Sequence, residues 1–216
     1  MRSLTPLEAR VLGVLVEKQH TVPDTYPLSL NALVAGCNQK TAREPVINAT
    51  DAEVLTAVDG LKELSLVFEG SGSRVARFEH NMGRVLGLPG ASVALLTLLM
   101  LRGPQTSAEL RLHTERLHRF ADISSVEGFL DELATKEPAR VVKLPRAPGA
   151  REPRWAHLLC GEVALAERAE GETEGAGVSA GEIAALKAEQ ARLAHELAHL
   201  RGWVRRIGAE LGIDPP

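Results

Sequence analysis

Residues 5–80 and 88–160 carry one plan written twice, and that repeat limits what the chain can fold into. Each copy opens with an apolar helical stretch, Val11-Leu12-Gly13-Val14-Leu15 in the first and Leu95-Leu96-Thr97-Leu98-Leu99 in the second. A shorter polar helix follows. A third, amphipathic helix comes next, through Val58-Asp59-Gly60-Leu61-Lys62-Glu63-Leu64 and Val126-Glu127-Gly128-Phe129-Leu130-Asp131-Glu132-Leu133. Each copy closes with two short strands around a glycine-containing turn. Three helices sealed by a hairpin is the winged-helix plan, a helix-turn-helix variant used for nucleic-acid binding or protein docking. The expected class is α+β, mainly helical with small hairpins. Two tandem winged-helix domains are expected at 1–87 and 88–161, then an acidic linker at 162–180 and a coiled-coil-like helix at 181–212.

The helix starts are well punctuated. Thr5-Pro6-Leu7-Glu8 is a capping box with proline at the first helical position, where its missing N–H costs nothing. Thr50 with Glu53, Thr106 with Glu109, Ser124 with Glu127 and Ser179 with Glu182 repeat the spacing, predicting starts near 6, 51, 107, 125 and 180. Strands are predicted near 66–69 and 74–79 around Gly70-Ser71-Gly72-Ser73, and near 140–144 and 154–159 around the proline-rich stretch from Pro145 to Pro153. Those hairpins are the candidate wings.

Charge decides how such a chain could meet DNA. The net charge is −3, but it is unevenly spread. Residues 1–87 hold 9 basic and 10 acidic side chains, residues 88–160 hold 10 and 8, and residues 161–216 hold 6 and 10. Only the second copy is basic. The third helices, which in a DNA reader of this type enter the major groove, are acidic. Residues 51–64 set Asp51, Glu53, Asp59 and Glu63 against Lys62, and residues 124–137 set Glu127, Asp131, Glu132 and Glu137 against Lys136. Affinity for DNA comes mainly from neutralising phosphates, so deep insertion of either helix is disfavoured. Basic residues gather instead at Lys40 and Arg43 between helices 2 and 3, and at Arg74 and Arg77 on the first wing. In the second copy they are Arg111, Arg116 and Arg119 around helix 2, and Arg140, Lys143, Arg146, Arg151 and Arg154 at the wing. Such groups can grip backbone or minor groove without a recognition helix, or can stand as a solvated, Arg-rich surface paired with Glu.

The stretch Tyr26 to Val46 is polar and specific, ending in Asn38-Gln39-Lys40-Thr41-Ala42-Arg43-Glu44-Pro45. Asn38, Gln39, Lys40 and Arg43 are the candidate working surface of the first copy. The alternative is that Asn38 and Gln39 cap helix 2 and tie the turn to the domain body. This stretch resembles the YceH family of bacterial proteins, and the likeness extends over 4–161. It is carried by Leu4-Thr5-Pro6-Leu7-Glu8-Ala9-Arg10-Val11-Leu12-Gly13, Gly72-Ser73-Arg74-Val75-Ala76, Arg102-Gly103-Pro104-Gln105-Thr106, the run from Glu115 to Asp122, and His157-Leu158-Leu159. The resemblance implies tandem winged-helix domains and brings no activity with it.

From Ile183 the apolar positions step by three and four: Ile183, Leu186, Gln190, Leu193, Leu197, Leu200, Val204, Ile207, Leu211. That is an a/d seam with one polar residue at an a position, and in a parallel dimer Glu182 would face Lys187 and Glu196 would face Arg201. The alternative is a single helix folded back on its own chain. Within it, His195-Glu196-Leu197-Ala198-His199 matches the zinc-protease pattern. The third ligand position holds Arg205, which cannot ligate zinc, and both histidines fall on the solvated side of the heptad. No metal or cofactor is expected, nor is an enzymatic activity.

With no apolar signal stretch and no apolar run near the roughly 20 residues of a membrane span, a cytoplasmic location is expected. Cys37 and Cys160 sit in different copies and read as small buried residues. The sequence therefore points first to a dimeric regulator binding double-stranded DNA through Asn38, Gln39, Lys40, Arg43, Arg74, Arg77, Lys143, Arg146, Arg151 and Arg154. The alternative is a protein-interaction adaptor using the acidic third helices.

Overall fold

The computed structural model describes residues 1–70, 75–146 and 152–162, which all belong to the unit Met1–Ala164. The tips of both hairpins, including Arg74 and Arg151, lie outside the described residues. So do the 163–180 part of the linker, the heptad seam and the His195–His199 pattern.

Two helices make the centre. Helix α1, Pro6–Thr21, starts where Thr5 accepts from the Glu8 amide at 3.1 Å while the Glu8 carboxylate accepts from the Thr5 amide at 2.7 Å. Its residues Glu8 to Val16 are all buried. Helix α5, Gly90–Arg102, is buried continuously from Ala91 to Leu101. A helix buried over its whole middle belongs in an interior, and these two supply it for each other, the buried Glu8 and Arg10 of α1 being hydrogen-bonded. They cross closely at Gly13, where a Cβ would stand 3.0 Å from Leu101 Cγ and Cδ2.

The first copy wraps α1 with α2, Leu30–Cys37, and α3, Asp51–Glu63. It closes with a three-stranded antiparallel sheet in the order β1 (Leu28–Ser29), β3 (Arg77–His80), β2 (Val67–Gly70). A short helix, α4 (Met82–Leu86), leads to α5. The second copy surrounds α5 with α6, Ser107–His113, α7, Ile123–Thr135, and the pair β4 (Val141–Lys143) and β5 (Trp155–His157). The repeat extends to a detail. Leu28–Ser29 joins the first sheet immediately before α2, and Gln105 bridges to Trp155 immediately before α6. Each of these short pairings leads straight into an N-cap, Ser29 for α2 and Thr106 for α6.

The class is mixed α+β, as expected, and both hairpins form close to where the sequence put them. Three of the predicted helix starts are met by capping boxes at Thr5, Thr50 and Thr106. The start expected at Ser124 is displaced. Asp122 caps α7 instead, its Oδ1 accepting from the Ser125 amide at 2.8 Å and from both neighbouring hydroxyls. An ionised carboxylate is the stronger acceptor for an orphan helical N–H.

One hydrophobic cluster runs through both copies, from Leu12 and Leu61 to Leu96 and Trp155. Backbone bonds stitch them as well: the Leu4 amide donates to Leu159 O at 2.8 Å, and the Glu44 amide to Leu101 O at 2.8 Å. Cys37 is buried, Cys160 is partly so, and both are free thiols. Among the described residues no helix is long and apolar enough to cross a membrane, and no group of three metal-ligating side chains occurs.

Candidate functional site

The 38–49 segment is held from beneath. Helix α2 ends at Cys37, and the Asn38 amide closes it on Val34 O at 3.0 Å. The Asn38 side chain then brackets the whole loop, donating to Ala49 O and accepting from the Ala49 amide, each at 2.8 Å. Ala42 takes a left-handed backbone, φ 59°, which a residue with a Cβ adopts only when its surroundings enforce it. The guanidinium of the next residue, Arg43, donates to the Ala42 carbonyl at 2.8 Å.

Arg43 points inward. Its side chain is 0% exposed and meets the Glu17 carboxylate with two bonds, Nη1 to Oε1 at 3.1 Å and Nη2 to Oε2 at 2.6 Å. It also donates to Gly36 O at 3.1 Å, Ala42 O at 2.8 Å and Gln39 Oε1 at 2.7 Å. Burial pushes the Glu17 carboxyl up, but the hydrogen bonds and charge of Arg43, aided by Lys18, hold it below its ordinary value. Lys18 reaches Glu17 at 3.1 Å and Gln39 at 3.4 Å.

The expected working surface of the first copy is thereby corrected. Arg43 is spent on an internal ion pair, and Asn38 and Gln39 tie the turn to the body. Lys40 alone of the four is exposed. The physical reason is the carboxylate of Glu17, 26 positions earlier, which gives the guanidinium a fixed partner in a place where an unpaired charge would be costly.

Beside this network lies a cleft of about 470 Å³ between α1, the 39–42 turn and the α5–α6 corner. Its walls include Lys18, Gln39, Arg102, His113 and Arg116. Arg102 is half-buried and, among the described residues, forms no hydrogen bond or ion pair within contact distance. Burial lowers its pKa, Glu17 opposes that, and the like charge of Arg43 adds to it. His113 Nδ1 meets Gln105 Oε1 at 2.7 Å. The Gln105 amide nitrogen donates to Leu98 O at 3.0 Å, which turns its oxygen toward the ring. That assigns the proton of neutral His113 to Nδ1 and leaves Nε2 without one. Burial first, then Arg102, depresses the His113 pKa, with Glu109 acting the other way. Sequence reasoning passed over Glu17, Lys18, Arg102 and His113. The available signal was a charged pair, Glu17-Lys18, directly after the apolar run Val11 to Val16.

The wing residues stand apart from this network. Arg77 is exposed but leans on the backbone, donating to Pro27 O at 2.8 Å. In the second hairpin Lys143, Arg146 and Arg154 are all exposed. Lys143 lies over the Trp155 ring at 5.3 Å from its centroid, and Arg154 donates weakly to Pro104 O at 3.5 Å and has a loose carboxylate neighbour, Glu109 at 3.8 Å. The third helices turn their acids outward: Asp51, Glu53, Asp59 and Glu63 on α3, and Glu127, Asp131 and Glu132 on α7.

Comparison with known proteins gives a consistent relationship over the whole length. A UPF0502 protein of Burkholderia multivorans is 72% identical over 215 residues, covering 99% of this chain and 92% of the relative. One from Paraburkholderia xenovorans is 70% identical over 214 residues, covering 99% and 91%. One from Leptothrix cholodnii is 67% identical over 216 residues, covering 99% and 97%. The family model described as "Protein of unknown function, DUF480" matches residues 4–150, nearly the whole span of the YceH likeness, and the chain belongs to that family.

Proposed function

We propose that this chain is a non-enzymatic, tandem winged-helix protein that binds double-stranded DNA as a dimeric regulator, with residues 1–87 and 88–161 as the two winged domains. The heptad seam at 181–212 is the dimerisation element of this reading. The observation that carries it is the second hairpin, where Lys143, Arg146 and Arg154 all present their charge to solvent on one short β-ribbon. Arg111 and Arg119, exposed near α6, extend the same basic half, and Lys40 and Arg77 add two cations from the first. Contact is with backbone phosphates through the wings. The outward acids of α3 and α7 argue against a recognition-helix mode, since they would meet the phosphate-lined groove with like charge.

A protein-adaptor role is the second reading. It is favoured by the line Leu55, Asp59, Glu63 on α3, all exposed at helical spacing, with Leu55 at 41% exposure. That face would dock a basic partner surface.

Fluorescence anisotropy with duplex DNA at roughly 50 and 200 mM salt separates the two, because phosphate contacts release counterions and make affinity fall steeply with salt. The full chain is expected to bind at low salt. Replacing Lys143, Arg146 and Arg154 together by Gln is expected to weaken binding to all sequences and to flatten the log–log salt slope by about 0.9 for each phosphate no longer neutralised. Absence of binding at low salt would overturn the DNA reading and leave the acidic α3 face as the working surface.

A further inference from the structure

The cleft beside Glu17 holds more positive charge than its carboxylates can neutralise. Glu17 is the shared partner of both Arg43 and Lys18. Arg102 and Arg116 bring two more cations, and Glu115 is the one other carboxylate on the walls among the described residues. On the walls themselves three cations, Lys18, Arg102 and Arg116, face two carboxylates, Glu17 and Glu115, and the buried Arg43 behind them is already paired with Glu17. Arg43 is wholly buried and Arg102 half-buried, so water screens this excess less than it would on an open surface. The Arg102 guanidinium, without a partner among the described residues, offers a planar fork of donors suited to an oxyanion. His113, held by Gln105 through Nδ1, becomes a further donor there at Nε2 when it takes a proton. The remaining walls mix the polar Thr21, Gln39 and Thr41 with apolar side chains, among them Val22, Leu112 and Leu117. Leu112 is 68% exposed, so its side chain is open to a ligand.

We propose that this cleft is a binding site for a phosphorylated small molecule, its phosphate on Arg102 and Arg116 with Lys18 and His113 alongside, and its body against Leu112 and Leu117. The volume, about 470 Å³, is in the range of small-molecule sites, roughly 300–1,000 Å³. The walls carry an excess of one positive charge, and a proton on His113 makes it two, which matches a phosphate monoester dianion; a diester of the DNA backbone brings one charge per group. The site joins the 39–42 turn of the first copy to α6 of the second, so occupancy would brace the two copies against each other. The assignment does not depend on DNA binding.

The test is isothermal titration calorimetry of the full chain with inorganic phosphate and with phenyl phosphate at constant ionic strength, and in a separate arm with a short DNA duplex. Phenyl phosphate is expected to bind one per chain and more tightly than inorganic phosphate, because its ring finds the leucines. Arg102→Gln and Arg116→Gln are each expected to weaken it at least tenfold, while Arg154→Gln on the second hairpin leaves it unchanged. Arg116 is exposed and without a partner among the described residues, so its replacement leaves the fold intact even if that of Arg102 does not. No binding at millimolar phosphate ester would overturn the proposal, and so would equal weakening by Arg154→Gln. A third refuting result is loss of duplex binding with Arg102→Gln when phenyl phosphate does not bind the native chain, which would assign the cleft to backbone diesters. Failure of the duplex arm alone touches only the DNA reading.

Discussion

Replacing Arg43 by Met separates a structural arginine from a DNA-contacting one. The substitution keeps much of the aliphatic bulk and deletes five hydrogen bonds, two of them to a carboxylate. Removing one partner of a buried ion pair costs about 3–5 kcal/mol, because the other charge is left in a poorly solvated place. Here the Glu17 side chain is 14% exposed and keeps Lys18 at 3.1 Å, which moves the expectation to the lower end, about 3 kcal/mol. With a urea dependence of about 2 kcal/mol per molar, the unfolding midpoint should fall by roughly 1.5 M. The pH dependence has a definite sign. Glu17 is held below its ordinary value of 4.5, so the stability it contributes is complete above that value and is lost as pH falls through the lower, folded one. The difference between native and Arg43→Met chains should therefore be full at pH 7 and shrink in acid, below pH 4.5. The assay is urea unfolding followed by circular dichroism at roughly pH 7 and pH 3.5, on either side of that range. A midpoint shift worth less than about 1 kcal/mol, accompanied by loss of DNA affinity, would refute the structural assignment and restore Arg43 as a contact residue.

Two further substitutions probe the same frame. Gly36→Ala would place a Cβ 2.6 Å from Val14 Cγ1, a side chain that is fully buried and stiff at χ1. Overpacking of about 1–3 kcal/mol should outweigh a helix-propensity gain of about 1, so thermal unfolding should drop by a few degrees; a rise would show that α2 can slide on α1. Asn38→Ala removes both bonds to Ala49 and should cost about 1–3 kcal/mol, with faster hydrogen exchange at the Ala49 amide. Unchanged exchange at that amide would mean the loop is held elsewhere.

What the sequence disclosed was local, and what it concealed was long-range. Thr5, Thr50 and Thr106 announce their helices because the capping partner is three residues away. Ser124 misled because Asp122, two residues earlier, caps the helix first. The strand Leu28–Ser29 left no periodic trace: two residues cannot show an alternation, and the partner of Leu28 is the distant Phe78. The reading of Arg43 as a surface cation failed for the same cause. Lys40 and Arg43 look alike in a string of polar residues, and only the fold brings Glu17 under one of them. Arg102 reads as a routine cation at a helix end, since nothing nearby in sequence says that its neighbours in space are Glu17 and Arg43.

The contact of Gly13 with Leu101 ties the history of the two copies together. If the halves began as a duplicated gene segment, each once had to be soluble with its first helix facing outward or facing a twin. With α1 and α5 now sealed against each other, neither helix has a spare face, and an enlarged side chain at position 13 must be answered by a smaller one near 101. Substitutions on one half are thus filtered by the other. Neither copy can be deleted or grafted without exposing the buried faces of α1 and α5 that now meet at Gly13 and Leu101.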